Sequence, residues 1–304
     1  MSLDLHAAAG DHLAARRARG YRLADHDWLI RSFLDDLTRR GGTTITVADA
    51  MAFARRRPET GPRWHAQRLH VLAGFAGYVH ALDPAAAELV PAGLIRARIT
   101  RRHPYLYSDE QIQALLAAAS ALCPPALAAT MSTLIGLLAV SGLRAGEAIA
   151  LDAGDLDTDR QLLRVTGKYG KRRLVPLHPS AVKALTGYLA GRPADGPLLV
   201  GVRGNRLNAN TARAAFGALV QQCGLPARPG CGAPRLHDFR HSFAVHSLTE
   251  AQRSGSDVDA RVAVLADYLG HVDPACTYWY LEASPQLMAA VGERVTASFR
   301  RDHR

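Results

Sequence analysis

The chain has 304 residues, 48% hydrophobic and 21% charged, with a formal net charge of +10 at pH 7. That composition supports one large or two ordinary cored domains and excludes wholesale disorder. A positive surplus of this size favours a polyanionic partner, through phosphate contacts and counterion release; arginine bias from a GC-rich genome is the bland alternative. The four cysteines, Cys123, Cys223, Cys231 and Cys276, form no C-x-x-C pair and no zinc-knuckle spacing, so they read as buried thiols of a reduced, cytosolic protein.

In chain order, the first 20 residues read as weakly ordered. Trp28, Leu29, Phe33 and Leu37 recur at helical spacing over residues 26–37, and Gly41-Gly42 ends that element. Thr46 caps a second helix over 47–56. Trp64, Leu69, Leu72, Phe75 and Val79 mark a third over 63–81, closed by Leu82-Asp83-Pro84. Residues 83–107 carry Pro84, Pro91 and Pro104 with Arg96, Arg98, Arg101 and Arg102, and read as a basic linker.

Ser108-Asp109-Glu110 opens a second part, with helices over 109–120 and 125–141. Residues 111–143 carry no charge, but Pro124 and Pro125 interrupt them. The apolar run 126–140 is too short to span a bilayer and reads as a core helix, so no membrane partner is expected. The turn at Ser141-Gly142 leads into a helix with Arg144 and Glu147. Residues 162–166 and 172–177 alternate with period two around Gly167-Lys168-Tyr169-Gly170-Lys171, as in a β-hairpin. Further helices are predicted over 179–190, 208–223, 236–250, 258–268, 274–281 and 285–299, with the polar stretch 249–259 as an added loop. The fold class is mainly α (α+β): an N-terminal helical bundle with its basic linker over 1–103, and a helical domain over 104–304 with a small antiparallel β-sheet.

The chain contains three lysines, Lys168, Lys171 and Lys183, among many arginines. Arginine cannot release a proton near neutral pH and lysine can, so a hairpin tip that keeps lysine is a place for a general acid. His237 and Arg240 lie three apart near a helix start and share a face, where an arginine fork and an imidazole can clamp one phosphate. Arg144 stands at a helix start after Gly142. Each has a plainer role open to it: a solvated turn lysine, a helix-capping His237, an Arg144 paired with Glu147. Tyr268, Tyr278 and Tyr280 lie near one another in the C-terminal part. A phenol attacks a phosphodiester when fixed cations meet the developing charge and an acid protonates the leaving group, and this chain supplies both.

These residues resemble the tyrosine recombinases, or phage-type integrases, over residues 107–290. The matching motifs are Gly142-Leu143-Arg144-Ala145-Gly146-Glu147, Gly167-Lys168 ahead of Val175-Pro176-Leu177, His237-Asp238-Phe239-Arg240 followed by His241-Ser242-Phe243-Ala244, and Leu269-Gly270-His271. The family's nucleophile follows that histidine by nine positions, which selects Tyr280 over Tyr278. The segment around it, TYWYLEASPQLM, departs from the usual ending and resembles a mobile-element branch, some of whose members work beside sibling recombinases.

The resemblance implies a catalytic set of Arg144, Lys168 (Lys171 as runner-up), His237, Arg240, His271 and Tyr280. It implies a 3′-phosphotyrosyl intermediate on double-stranded DNA recombination sites with neither cofactor nor metal, a tetramer assembled on DNA through a C-terminal exchange helix, and a cytoplasmic, nucleoid-associated place in a bacterium. A type IB topoisomerase would share the chemistry but relax supercoils without pairing two sites. A catalytically silent accessory recombinase would keep the fold without competent side chains.

Overall fold

The computed structural model describes residues 3–21, 23–97, 103–167, 170–193 and 195–270. The chain divides into two compact units, residues 1–101 and 102–304.

In the first unit, Asp4 accepts the backbone N–H groups of His6 and Ala7 and so starts α1 (Leu5–Ala18). This helix occupies much of the stretch predicted to be weakly ordered. Its buried stripe is Ala8, Ala9, His12 and Leu13, so alanine propensity stands where larger apolar side chains would have signalled a helix. Then come α2 (Ala24–Arg39), α3 (Val47–Arg55) and α4 (Pro62–Leu82), near the predicted places. Thr46 caps α3 by accepting the Asp49 N–H at 3.0 Å, and Glu88 accepts the Val47 N–H at 2.7 Å. Phe33, Phe53 and Phe75 fill the core, with Phe33 edge-on to Phe53. Arg68 of α4 is 8% exposed, lies 4.9 Å over the Phe53 ring, and has no hydrogen-bond partner for Nε among the described residues. It lines a cavity of about 250 Å3 whose lip carries the exposed indoles of Trp28 and Trp64.

In the second unit, Ser108 and Gln111 form a capping box at α5 (Asp109–Ser120). The uncharged helix α6 (Pro125–Ser141) runs through the core, packed on α5, on α7 (Ala145–Ala150), on α8 (Pro179–Leu189), on α9 (Ala209–Gln222) and on α10 (Asp238–Arg253). Leu134, Ile135 and Leu138 are fully buried in it, the core role predicted for this run. Among the described residues no helix is long and apolar enough to cross a membrane.

The sheet has order β1 (Leu156–Asp157), β2 (Leu162–Thr166), β3 (Arg172–Pro176), all antiparallel. The two-residue β1, too short to leave a pattern, extends the predicted hairpin. The added loop predicted over 249–259 is not there. Residues 249–253 finish α10, with Ala251 buried, and α11 (Val258–Leu269) begins after a four-residue turn. Gly255, at φ +74°, closes α10, and Asp257 caps α11 by accepting the N–H groups of Asp259 and Ala260. The polar side chains there mark a solvated helix face and two caps. The helices predicted over 274–281 and 285–299 lie outside the described residues.

Candidate active site

Gly142 ends α6 in the left-handed region, φ +60°. A Cβ there would sit 2.6 Å from Phe243 Cδ1, so both the dihedral and the contact with α10 require glycine. The chain then passes through the fully buried Leu143 to Arg144, whose side chain is 31% exposed.

Glu147, one turn into α7, is nearly buried. It accepts the Arg144 N–H at 3.1 Å, Arg144 Nη1 at 2.8 Å, and Arg173 Nη1 and Nη2 at 3.3 and 2.8 Å. Burial alone would raise its pKa. The hydrogen bonds from Arg173 and from the Arg144 backbone and side chain outweigh that and hold the carboxyl at about 2, against an ordinary 4.5. The plain pairing of Arg144 with Glu147 is thus real, and Arg173 makes it a triad. Because the folded value lies below the unfolded one, this carboxylate stabilises the fold fully above pH 4.5 and loses that contribution as pH falls toward 2. At ~1.4 kcal/mol per unit, the contribution is about 3 kcal/mol. Thermal melts taken across that window should show the loss in the native protein, and a Glu147→Gln variant should be less stable at neutral pH and flatter across the window.

Arg240 is only 1% exposed. Nη1 donates to Gly142 O at 3.0 Å and Nη2 to Leu269 O at 2.7 Å, so one guanidinium joins the turn before Arg144 to the last turn before His271. Asp238, fully buried, accepts the Arg235 N–H and guanidinium and fixes the start of α10, while Phe239 stacks on Tyr107 at 4.4 Å.

His237 precedes α10, and its side chain makes no capping bond. It keeps an exposed edge. The protein around its ring displaces enough water to lower its pKa. Arg240 lowers it further, as do Arg235 and Arg144, against an opposing effect of Asp238. The lowered pKa favours the neutral imidazole, the form that can accept a proton.

The structure thus brings Arg144, His237 and Arg240 into one electrostatic neighbourhood. Lys168, His271 and Tyr280 lie outside the described residues. Lys171 is described: its carbonyl accepts the Gly167 N–H at 2.8 Å, where the strands give way to the hairpin turn. Tyr268 stacks on Phe243, and burial pushes its phenol up to about 12, against the lowering effect of Arg173 and Arg240. No group of three His, Cys, Asp or Glu side chains able to hold a metal ion is found among the described residues.

The residue missed from sequence is Arg173. A signal was present: Val165 pairs with Arg173 and Leu163 with Val175, so strand parity puts Arg173 on the buried face. A charge on that face demands a buried partner of opposite sign.

A sequence profile of the phage integrase family matches residues 106–286. The integrase/recombinase y4rB of Sinorhizobium fredii is 37% identical over 301 residues, covering 95% of this chain and 96% of the relative. A tyrosine recombinase XerC from a Mycobacterium species is 32% identical over 270 residues, covering 84% and 83%. Among solved structures, a lambda integrase dimer bound to a COC′ core site aligns with a TM-score of 0.63 at 19% identity, over 92% of this chain and 77% of that one. The Tn1549 transposon integrase with a circular-intermediate DNA aligns at 0.59 and 17%, over 94% and 99%. The two structures show a shared fold.

Proposed function

This chain belongs to the phage integrase family and is a site-specific DNA recombinase, and we propose that Tyr280 is its nucleophile, acting with Arg144, Lys168, His237, Arg240 and His271 on double-stranded DNA. The Tyr280 oxygen bonds to a backbone phosphorus, its proton passing to His237. The bond from phosphorus to the 5′ oxygen breaks, and that oxygen takes a proton from Lys168. Arg144 and Arg240 offset the charge on the non-bridging oxygens, and His271 supports them by a hydrogen bond. The 5′-hydroxyl of a partner strand then attacks the phosphotyrosine and gives its proton to Lys168, the phenol leaves with the proton held by His237, and the number of phosphodiester bonds is conserved.

The observation that supports this reading is the gathering of Arg144 and Arg240 around the Gly142 turn beside an imidazole whose pKa burial and these arginines lower. Arg240 donates to the Gly142 and Leu269 carbonyls, which fixes its guanidinium between the Gly142 turn and the end of α11. The basic N-terminal unit is assigned as a core-DNA-binding domain. A helix over 285–299 is assigned to dock on a neighbouring subunit in a tetramer on DNA, with sibling recombinases as further partners.

The test is to sequence the DNA flanking the gene for inverted repeats and to build a nicked suicide substrate from those found. After cleavage the strand cannot be rejoined, so the protein stays covalently attached. Digestion and mass analysis should locate the adduct on residue 280. Attachment at Tyr268 or Tyr278, or retention of DNA without any covalent product, would overturn the assignment.

A further inference from the structure

We infer that Arg173 is a positioning residue of the strand-transfer site, acting through Glu147 to hold Arg144. The inference rests on the reading of Arg144 and Tyr280 given above. The Arg173 side chain is 14% exposed and grips the Glu147 carboxylate with both Nη groups, on the far side of the same two oxygens that receive the Arg144 N–H and Nη1. Without Arg173, Glu147 would be a buried carboxylate held from one side, free to turn and take Arg144 with it.

Two neighbours place Arg173 at the junction of the other catalytic segments. Its Nη1 lies 3.5 Å from where a Cβ on Gly167 would stand, one residue before Lys168. The same atom lies 3.3 Å from the corresponding point at Gly270, one residue before His271. α11 packs on β3 at this place. Any larger residue at Gly270, itself at φ +68°, would press on the guanidinium. One buried arginine therefore lies against the hairpin turn, the end of α11 and the carboxylate that orients Arg144. A lysine could keep the charge there but not the two parallel N–H bonds.

A double-mutant cycle on full-length protein tests this, using single-turnover cleavage of the suicide substrate and DNA affinity. Arg173→Gln should slow cleavage by about 100-fold, the loss that follows a misplacement of about 1 Å, with DNA affinity unchanged. Glu147→Gln should lose a similar factor, and the double variant should lose no more than either alone. Losses that multiply would overturn the inference. Should Arg173→Gln melt early, Arg173→Lys serves in its place, and a fully active lysine variant would also overturn it. Methylguanidinium should restore cleavage to Arg173→Ala, and methylammonium at equal concentration should not; a general loss of folding would respond to neither. Wild-type protein beside the variants separates the two readings. A wild-type adduct on Tyr280 with multiplying losses removes only Arg173's role. An adduct on another tyrosine removes Tyr280, and the cycle still reads Arg173.

Discussion

A Tyr280→Phe protein is expected to bind its DNA sites with unchanged affinity and to yield no covalent protein–DNA product. The substitution deletes one oxygen and leaves the Arg144 and Arg240 side chains in place. Two described tyrosines of the second unit, Tyr268 and Tyr107, are poor substitutes. Tyr268 is stacked on Phe243, with its phenol pushed up to about 12. Burial pushes the Tyr107 phenol well above its ordinary value, and its hydroxyl donates to the Arg235 carbonyl. Denaturing gels of labelled suicide substrate, beside a binding titration, read both halves of the expectation. Residual adduct on Tyr268 or Tyr278 would move the nucleophile.

Arg240→Ala should cost stability as well as activity. The substitution leaves the carbonyls of Gly142 and Leu269 without these donors and opens a void at a site 1% exposed. An unsatisfied buried polar group costs about 1–3 kcal/mol, so the unit should lose about 2–5 kcal/mol. In a domain of this size that is a fall in Tm on the order of 5–15 °C. Arg240→Lys should recover only part of it, since one ammonium cannot span both carbonyls. Circular-dichroism melts and cleavage assays should move together across this pair. An alanine variant that melts like wild type but does not cleave would show that the guanidinium serves chemistry alone.

Much of this site was legible in the residues. Helices α5 and α6 and the hairpin followed from capping residues, an uncharged run and period-two alternation, because each is fixed by neighbours close in sequence. Arg144, His237 and Arg240 could be named from local motifs, and the structure gathers them. What escaped depends on distant pairing. Arg240 read as a phosphate clamp on a helix face, and its burial against two carbonyls needs the α6–α7 turn and the end of α11 to meet it. Arg173 drew no reading from local motifs, because strand register is what turns it inward toward Glu147. Helix α1 escaped for another reason: its buried face is mostly alanine, which carries little hydrophobic contrast.

The cavity of the N-terminal unit has a practical use. Two of the chain's three tryptophans, Trp28 and Trp64, stand at its lip, and the third, Trp279, precedes Tyr280 in sequence. Exposed indoles fluoresce according to the polarity and quenchers around them. A Trp279→Phe protein would therefore carry its whole indole emission on the N-terminal unit, an intrinsic optical probe that needs no attached dye and reports changes around that cavity independently of events at the cleaved strand.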